Sequence, residues 1–85
     1  MSDMDQVVGA LLSAIAALEA FLELDSQAYM ATNALEEIAY RLSEMSDEER
    51  RNFGAAISRI AAAYDLEEPG TGEWVRNVPR NLGLA

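Results

Sequence analysis

Met4, Val8, Leu11, Ile15, Leu18 and Leu22 recur at alternating steps of four and three, and Val7, Ala10, Ala14, Ala17, Phe21 and Leu24 trace a second stripe at the same spacing. That period predicts a helix over Asp3 to Leu24. A helix apolar almost all round needs cover on more than one side. The second stripe fits either a place in the central core or a dimer seam. Gly9 lies inside this helix, where it costs about 1 kcal/mol relative to Ala, and it suits a close helix crossing.

Asp25 and Ser26 are cap residues for a second helix running to Glu44 or Met45, with Ala28, Ala31, Leu35, Ile38, Leu42 and Met45 as its inner stripe. Thr32 and Asn33 weaken its first turns, and Glu37 and Arg41 stand four apart in the favourable order. Ser46 followed three residues later by Glu49 spells a capping box. The third helix is therefore expected from Asp47 to about Tyr64, burying Phe53, Ile57, Ile60 and Tyr64, with Ala56, Ala61 and Ala63 allowing close packing. Asp65 to Gly72 reads as a loop around Pro69-Gly70. A short fourth helix over Gly72 to Asn77 follows, capped by Thr71 and interrupted by Pro79, with Leu82 and Leu84 folding back on the core. The fold class expected is all-α: a compact antiparallel three-helix bundle with a short fourth C-terminal helix, one domain over residues 1–85.

Composition then narrows the chemistry. The chain carries fifteen carboxylates against six arginines and no lysine, a formal charge of -9 over 85 residues, and it has neither Cys nor His. The side chains that most often serve as nucleophile, general base or zinc ligand near neutral pH are thus missing. A hydrophobic share of 51% supports a folded core. The absence of Cys suits the cytoplasm and excludes a disulfide framework. Val7 to Leu18 is apolar apart from Ser13, but Asp3 and Asp5 precede it where a secretory leader would be basic, and a membrane span needs about 20 apolar residues. The run is expected to be a helix of a soluble protein.

Candidate chemistry is sparse. Glu36-Glu37, Asp47-Glu48-Glu49 and Glu67-Glu68 are carboxylate clusters at helix starts or on solvent faces, and a di-iron Glu-x-x-His pattern is impossible without His. The expectation is a protein that is not an enzyme and takes no metal or cofactor. Asp65, Glu67, Gly70 and Glu73 fall at four positions of a calcium loop, yet position five is Pro69 and the final ligand position is Arg76. Ile60, Tyr64, Leu66 and Trp74 have the buried spacing of a helix-turn-helix, with Asp65 at the usual Gly position and Glu73 beside the base-reading face. Trp74, the only Trp, is expected to pin the last helix to the bundle, with Arg76 on the rim. The best binding candidate is an outward stripe of Glu36, Tyr40 and Glu44 that continues into Asp47 and Glu48, with Tyr40 as an amphipathic anchor. The alternative is a solvated face that keeps the protein soluble.

The stretch Leu35-Glu-Glu-Ile-Ala-Tyr-Arg-Leu-Ser-Glu-Met-Ser-Asp-Glu-Glu49, continued at Ile60-Ala-Ala and closed by Val78-Pro-Arg-Asn-Leu-Gly-Leu84, resembles small acidic helical bacterial proteins, some of which look like immunity proteins. The resemblance covers about half the chain. It implies a cytoplasmic inhibitor, immunity-like or antitoxin-like, that neutralises a cationic toxin domain by protein–protein binding, the partner being a basic protein such as a secreted nuclease-type toxin. Neither nucleic acid nor membrane is expected among its partners, and a homodimer through the first helix stays open. The alternative functions are a helix-turn-helix DNA-binding regulator and a homodimeric structural or accessory subunit.

Overall fold

A computed structural model describes residues 3–23 and 28–84. Among them the chain forms four helices and no strand: α1 (Asp3–Phe21), α2 (Ala28–Ser43), α3 (Asp47–Glu67) and α4 (Gly72–Asn81). The expected cap at Asp25 and Ser26 lies outside the described residues, as does Leu24. α3 packs on both α4 and α1, and α1 packs on α2.

The start of α3 follows its sequence. Ser46 stands in extended backbone, its hydroxyl accepts from the Glu49 N–H at 3.1 Å, and the Glu49 carboxylate accepts from the Ser46 N–H at 2.8 Å. Asp47, Glu48 and Glu49 set negative charge against the positive end of the helix dipole.

Its end does not. α3 runs on to Glu67, through residues whose acidity suggested a loop. The terminator is Pro69, whose ring disfavours the helical region for the residue before it. Glu68 accordingly takes φ -148° and ψ 109°. Gly70 then turns the chain with φ 94°, a conformation open to Gly at no steric cost.

The core is built from α1, α3 and α4. Val8, Leu12 and Ile15 meet Phe53, Ala56, Ile57 and Ala61, closed by Val75 and Val78. α4 is therefore a principal core element. It also extends to Asn81 with Pro79 inside it, where an interruption was expected. Proline removes its own N–H from the ladder and crowds the carbonyl four residues back, yet the helix carries on past it, with the Leu82 N–H donating to the Val78 carbonyl at 3.0 Å. The nearly inaccessible Val75 and Val78 just before it, and Leu82 just after it, anchor the helix through this point. Leu82 packs back on the core as expected. Among the described side chains of α2 only Ala31 is fully buried; Leu35, Ile38 and Leu42, with Met45 in the turn that follows, rest half-buried against the cluster.

α1 buries the first of its two stripes: Val8 and Ile15 are inaccessible, Met4 and Leu11 pack on the core and Leu18 is half-buried, while Leu22 is exposed. Asp5 and Leu12, seven residues apart and therefore on one side of the helix, are buried beside Val8 and Ile15, and Glu19, seven residues further on, is half-buried. Val7, Ala10, Ala14, Ala17 and Phe21 are exposed, so the second stripe is no part of this chain's core. Gly9 marks no close crossing, since a β-carbon there would meet nothing within 4 Å. By length and composition Met4–Phe21 could cross a membrane; in this fold the same residues carry a third of the central core.

Candidate functional site

Glu36 and Tyr40 lie one turn apart on the solvent side of α2, and both are exposed, Tyr40 by 61%. α2 stops at Ser43, so Glu44 sits in the connecting turn, and Asp47 and Glu48 open α3. All five side chains of the stripe are exposed, and none makes a hydrogen bond or ion pair among the described residues. The neighbouring acids behave differently. Glu37 is taken by Arg41 at 2.8 Å, and Glu49 by the capping box. Arg50 reaches back to cap α2, its Nη2 donating to the Ser43 carbonyl at 2.7 Å. The α2–α3 junction thus pairs its structural acids internally and leaves Glu36, Glu44, Asp47 and Glu48 to solvent.

A second arrangement was hidden in the sequence. Because α3 continues past Tyr64, residues Tyr64, Glu67 and Glu68 fall at i, i+3 and i+4, on one face. α4 returns beside them and brings Thr71, Trp74 and Val75. Together they line a cleft of about 480 Å³. Tyr64, expected in the core, is 45% exposed at its lip. Trp74 is half-buried, and its indole Nε1 donates to the Glu19 carboxylate of α1 at 3.0 Å. This bond fixes the ring in the cleft wall and gives Trp74 the pinning role its position suggested. Glu67 and Glu68 have no ion-pair partner among the described residues. The signal available beforehand was the 64, 67, 68 spacing, which carries meaning only once the helix is known to reach Glu67.

The floor of this region is organised by Asp65. Its Oδ1 accepts from the Gly72 N–H at 2.8 Å and the Gly70 N–H at 3.2 Å, and its Oδ2 takes Arg76 Nη2 at 2.6 Å. These contacts hold the Asp65 carboxyl below the usual carboxylate range, the Arg76 hydrogen bond first and the Gly72 N–H next. Asp65, and not the expected Thr71, caps α4. The Thr71 hydroxyl instead bonds the Tyr64 and Glu68 carbonyls at 2.9 and 2.7 Å, closing the end of α3. The calcium-like spacing therefore resolves as a turn in which Arg76 neutralises Asp65. Among the described residues no group of three or more acids is gathered to hold a metal ion.

The helix-turn-helix spacing does not produce that motif's geometry. α3 passes as helix through Asp65, where the turn would be, and Leu66, which should be buried, is 88% exposed.

On the opposite side, α1 offers Val7, Ala10, Ala14, Ala17 and Phe21 to solvent, with no charged residue between Gln6 and Leu18. Phe21 continues into an apolar cleft of about 250 Å³ with Leu18, Met30, Ala31 and Ala34.

No family model matches the chain, and comparison with curated proteins and with solved structures finds no similar protein.

Proposed function

We propose that this chain is a small cytoplasmic binding module, an antiparallel three-helix bundle with a short fourth helix, that docks on a basic protein and catalyses nothing. The observation that carries this reading is the set of exposed, internally unpaired side chains Glu36, Tyr40, Glu44, Asp47 and Glu48 on a chain of charge -9. An inhibitor of the immunity or antitoxin kind fits it best. The active site of a nuclease-type toxin is basic because it holds phosphate, and an acidic surface is steered to it at up to about 10⁸–10⁹ M⁻¹s⁻¹ and excludes the substrate by charge and bulk. The test is retention of the proteins encoded beside this chain on the immobilised module at low salt, followed by association kinetics with Glu36→Lys/Glu44→Lys. A retained basic protein and a slowed on-rate support the reading. Retention of no protein, or a gel shift of DNA at low ionic strength, overturns it.

The exposed apolar face of α1 supports a second reading, self-association. Two copies of a chain this acidic repel one another everywhere except across a surface without charge, and Val7 to Phe21 supplies such a surface. Sedimentation at micromolar concentration should then show a dimer that Ala14→Glu dissociates; a monomer at every concentration ends this alternative.

A further inference from the structure

We infer that the α3–α4 cleft is a receptor for an arginine side chain of the basic partner, a contact separate from the stripe on α2 and α3. The inference rests on the acidic binding reading above and adds to it a site and a recognised group.

The lining selects the ligand. Two aromatic rings, Tyr64 and Trp74, share the cleft with two carboxylates, Glu67 and Glu68, that have no internal counter-ion among the described residues. Carboxylates at the lip repel phosphate and carboxylate ligands. Aromatic faces attract cations through their quadrupole, and most strongly where water is partly excluded. A guanidinium uses both features at once: its plane stacks on a ring while its forked N–H groups meet a carboxylate. An ammonium offers no plane to stack. At about 480 Å³ the cleft lies within the range of roughly 300–1,000 Å³ typical of ligand pockets.

The Trp74 wall is set before any ligand arrives. Glu19 holds the Trp74 indole at 3.0 Å. The Thr71 hydroxyl is engaged with the Tyr64 and Glu68 carbonyls, so it fixes the end of α3 and leaves the carboxylates to do the recognising. Asp65, the third acid of the segment, is already neutralised by Arg76 and adds no free charge. The cleft therefore presents two available negative charges beside an indole held in place, and a ligand has to order Glu67, Glu68 and the exposed Tyr64 ring.

Trp74 is the only Trp, so its emission reports directly on the cleft. The probe is a short acetylated peptide with alternating Arg and Gly and no aromatic residue, titrated at low salt beside its Lys counterpart and beside free arginine. The expected result is a saturable change in Trp74 emission, tighter for the Arg peptide than for the Lys peptide and far tighter than for free arginine. Glu67→Gln/Glu68→Gln should weaken the Arg peptide by about tenfold or more, the loss of two charge-assisted contacts, while Glu23→Gln/Glu37→Gln, exposed acids outside both the cleft and the stripe, should change it less than about twofold. All these positions are exposed, and circular dichroism checks that each variant keeps its helices. Binding seen by calorimetry with Trp74 emission unmoved overturns the cleft and leaves the acidic module standing. Equal weakening by both double variants also overturns it, as diffuse charge attraction. Free arginine matching the peptide makes the cleft a small-cation site and overturns the protein contact. No binding of any probe overturns the cleft; retention of a basic protein would then decide the wider reading by itself.

Discussion

Arg59 spans from α3 to α1 and closes on both oxygens of Asp5, with Nε 2.9 Å from Oδ2 and 3.2 Å from Oδ1 and Nη2 also on Oδ1. The two ends of this pair are unequal. The Asp5 side chain is 1% exposed and that of Arg59 is 50% exposed. Asp5 holds the guanidinium above its ordinary pKa, chiefly through the hydrogen bonds. The asymmetry predicts which partner can be lost more cheaply. Asp5→Ala lets Arg59 turn to water and should cost roughly 1.5–3 kcal/mol, the worth of hydrogen bonds to a charged group. Arg59→Met leaves a carboxylate in the core without its guanidinium and should cost more. Replacing both, as Asp5→Leu/Arg59→Met, should recover much of the loss. Urea denaturation of the three variants is the check, and a milder effect for Arg59→Met than for Asp5→Ala would contradict the account.

Gly72 and Gly54 should respond to the same substitution with opposite signs. A β-carbon on Gly72 would run into the Ala61 carbonyl and lie 2.8 Å from Asp65 Oδ2, so α4 approaches α3 here as closely as its backbone allows. Gly72→Ala must push the helices apart or displace the Asp65 cap, an overpacking cost of about 1–3 kcal/mol. At Gly54, in the middle of α3, an added methyl meets nothing within 4 Å. Gly54→Ala should then stabilise by roughly 0.5–1 kcal/mol through helix propensity and a less flexible unfolded chain. Thermal melts of the two variants on either side of the parent Tm would show this. Melts shifted in the same direction would show that the contact at Gly72 is not tight.

How much of this could be read from the chain depends on how local the deciding interaction is. The Ser46–Glu49 capping box is complete within four residues and was legible, as was the outward register of Glu36 and Tyr40. Asp5 and Glu19 were not. In a periodic pattern a carboxylate reads as an outward position, and the partners that draw these two inward, Arg59 and Trp74, lie 54 and 55 residues further along the chain. The first stripe of α1, with Val8 and Ile15 at its centre, was legible, whereas the spread of the buried face to Asp5 and of the half-buried rim to Glu19 was masked by their own charge. The end of α3 was obscured differently. Acidic composition drew attention to Asp65, whereas the constraint acts at Glu68 because Pro69 follows it. The cleft depends on both hidden facts, the longer α3 and the docking of α4, and could not emerge from spacing alone.

Asp65 gives the stability a defined acid dependence. Its pKa is lowered in the folded chain, so folding is favoured where the carboxyl is ionised in both states. That contribution is fully present above the unfolded value of about 3.9. It is lost as pH falls through the lower folded value, when protonation removes the Arg76 contact and weakens acceptance from Gly72. Asp65→Asn should therefore be less stable than the parent at neutral pH, and the difference should shrink as pH drops below about 4. A gap between parent and variant that stays constant from neutral to strongly acidic pH would mean that the Arg76 contact contributes nothing to folding.

Glu19 and Trp74 permit a test in which stability and spectrum must move together. The indole N–H is half-buried between α1 and α4, and its acceptor is a side chain that a single substitution can remove. Glu19→Ala leaves that N–H without its partner, a loss of about 1–2 kcal/mol, and frees the ring, so emission from the only Trp should shift toward that of a solvated indole. Glu19→Gln keeps a carbonyl oxygen at the same reach and should restore most of both quantities. The conservative variant separates hydrogen bonding from charge: if Gln behaves as Ala does, negative charge beside the indole matters and the bond does not. Rescue by Gln would establish that α1 holds the cleft wall in place through this one acceptor, which is the condition for the aromatic face at Trp74 to be preformed.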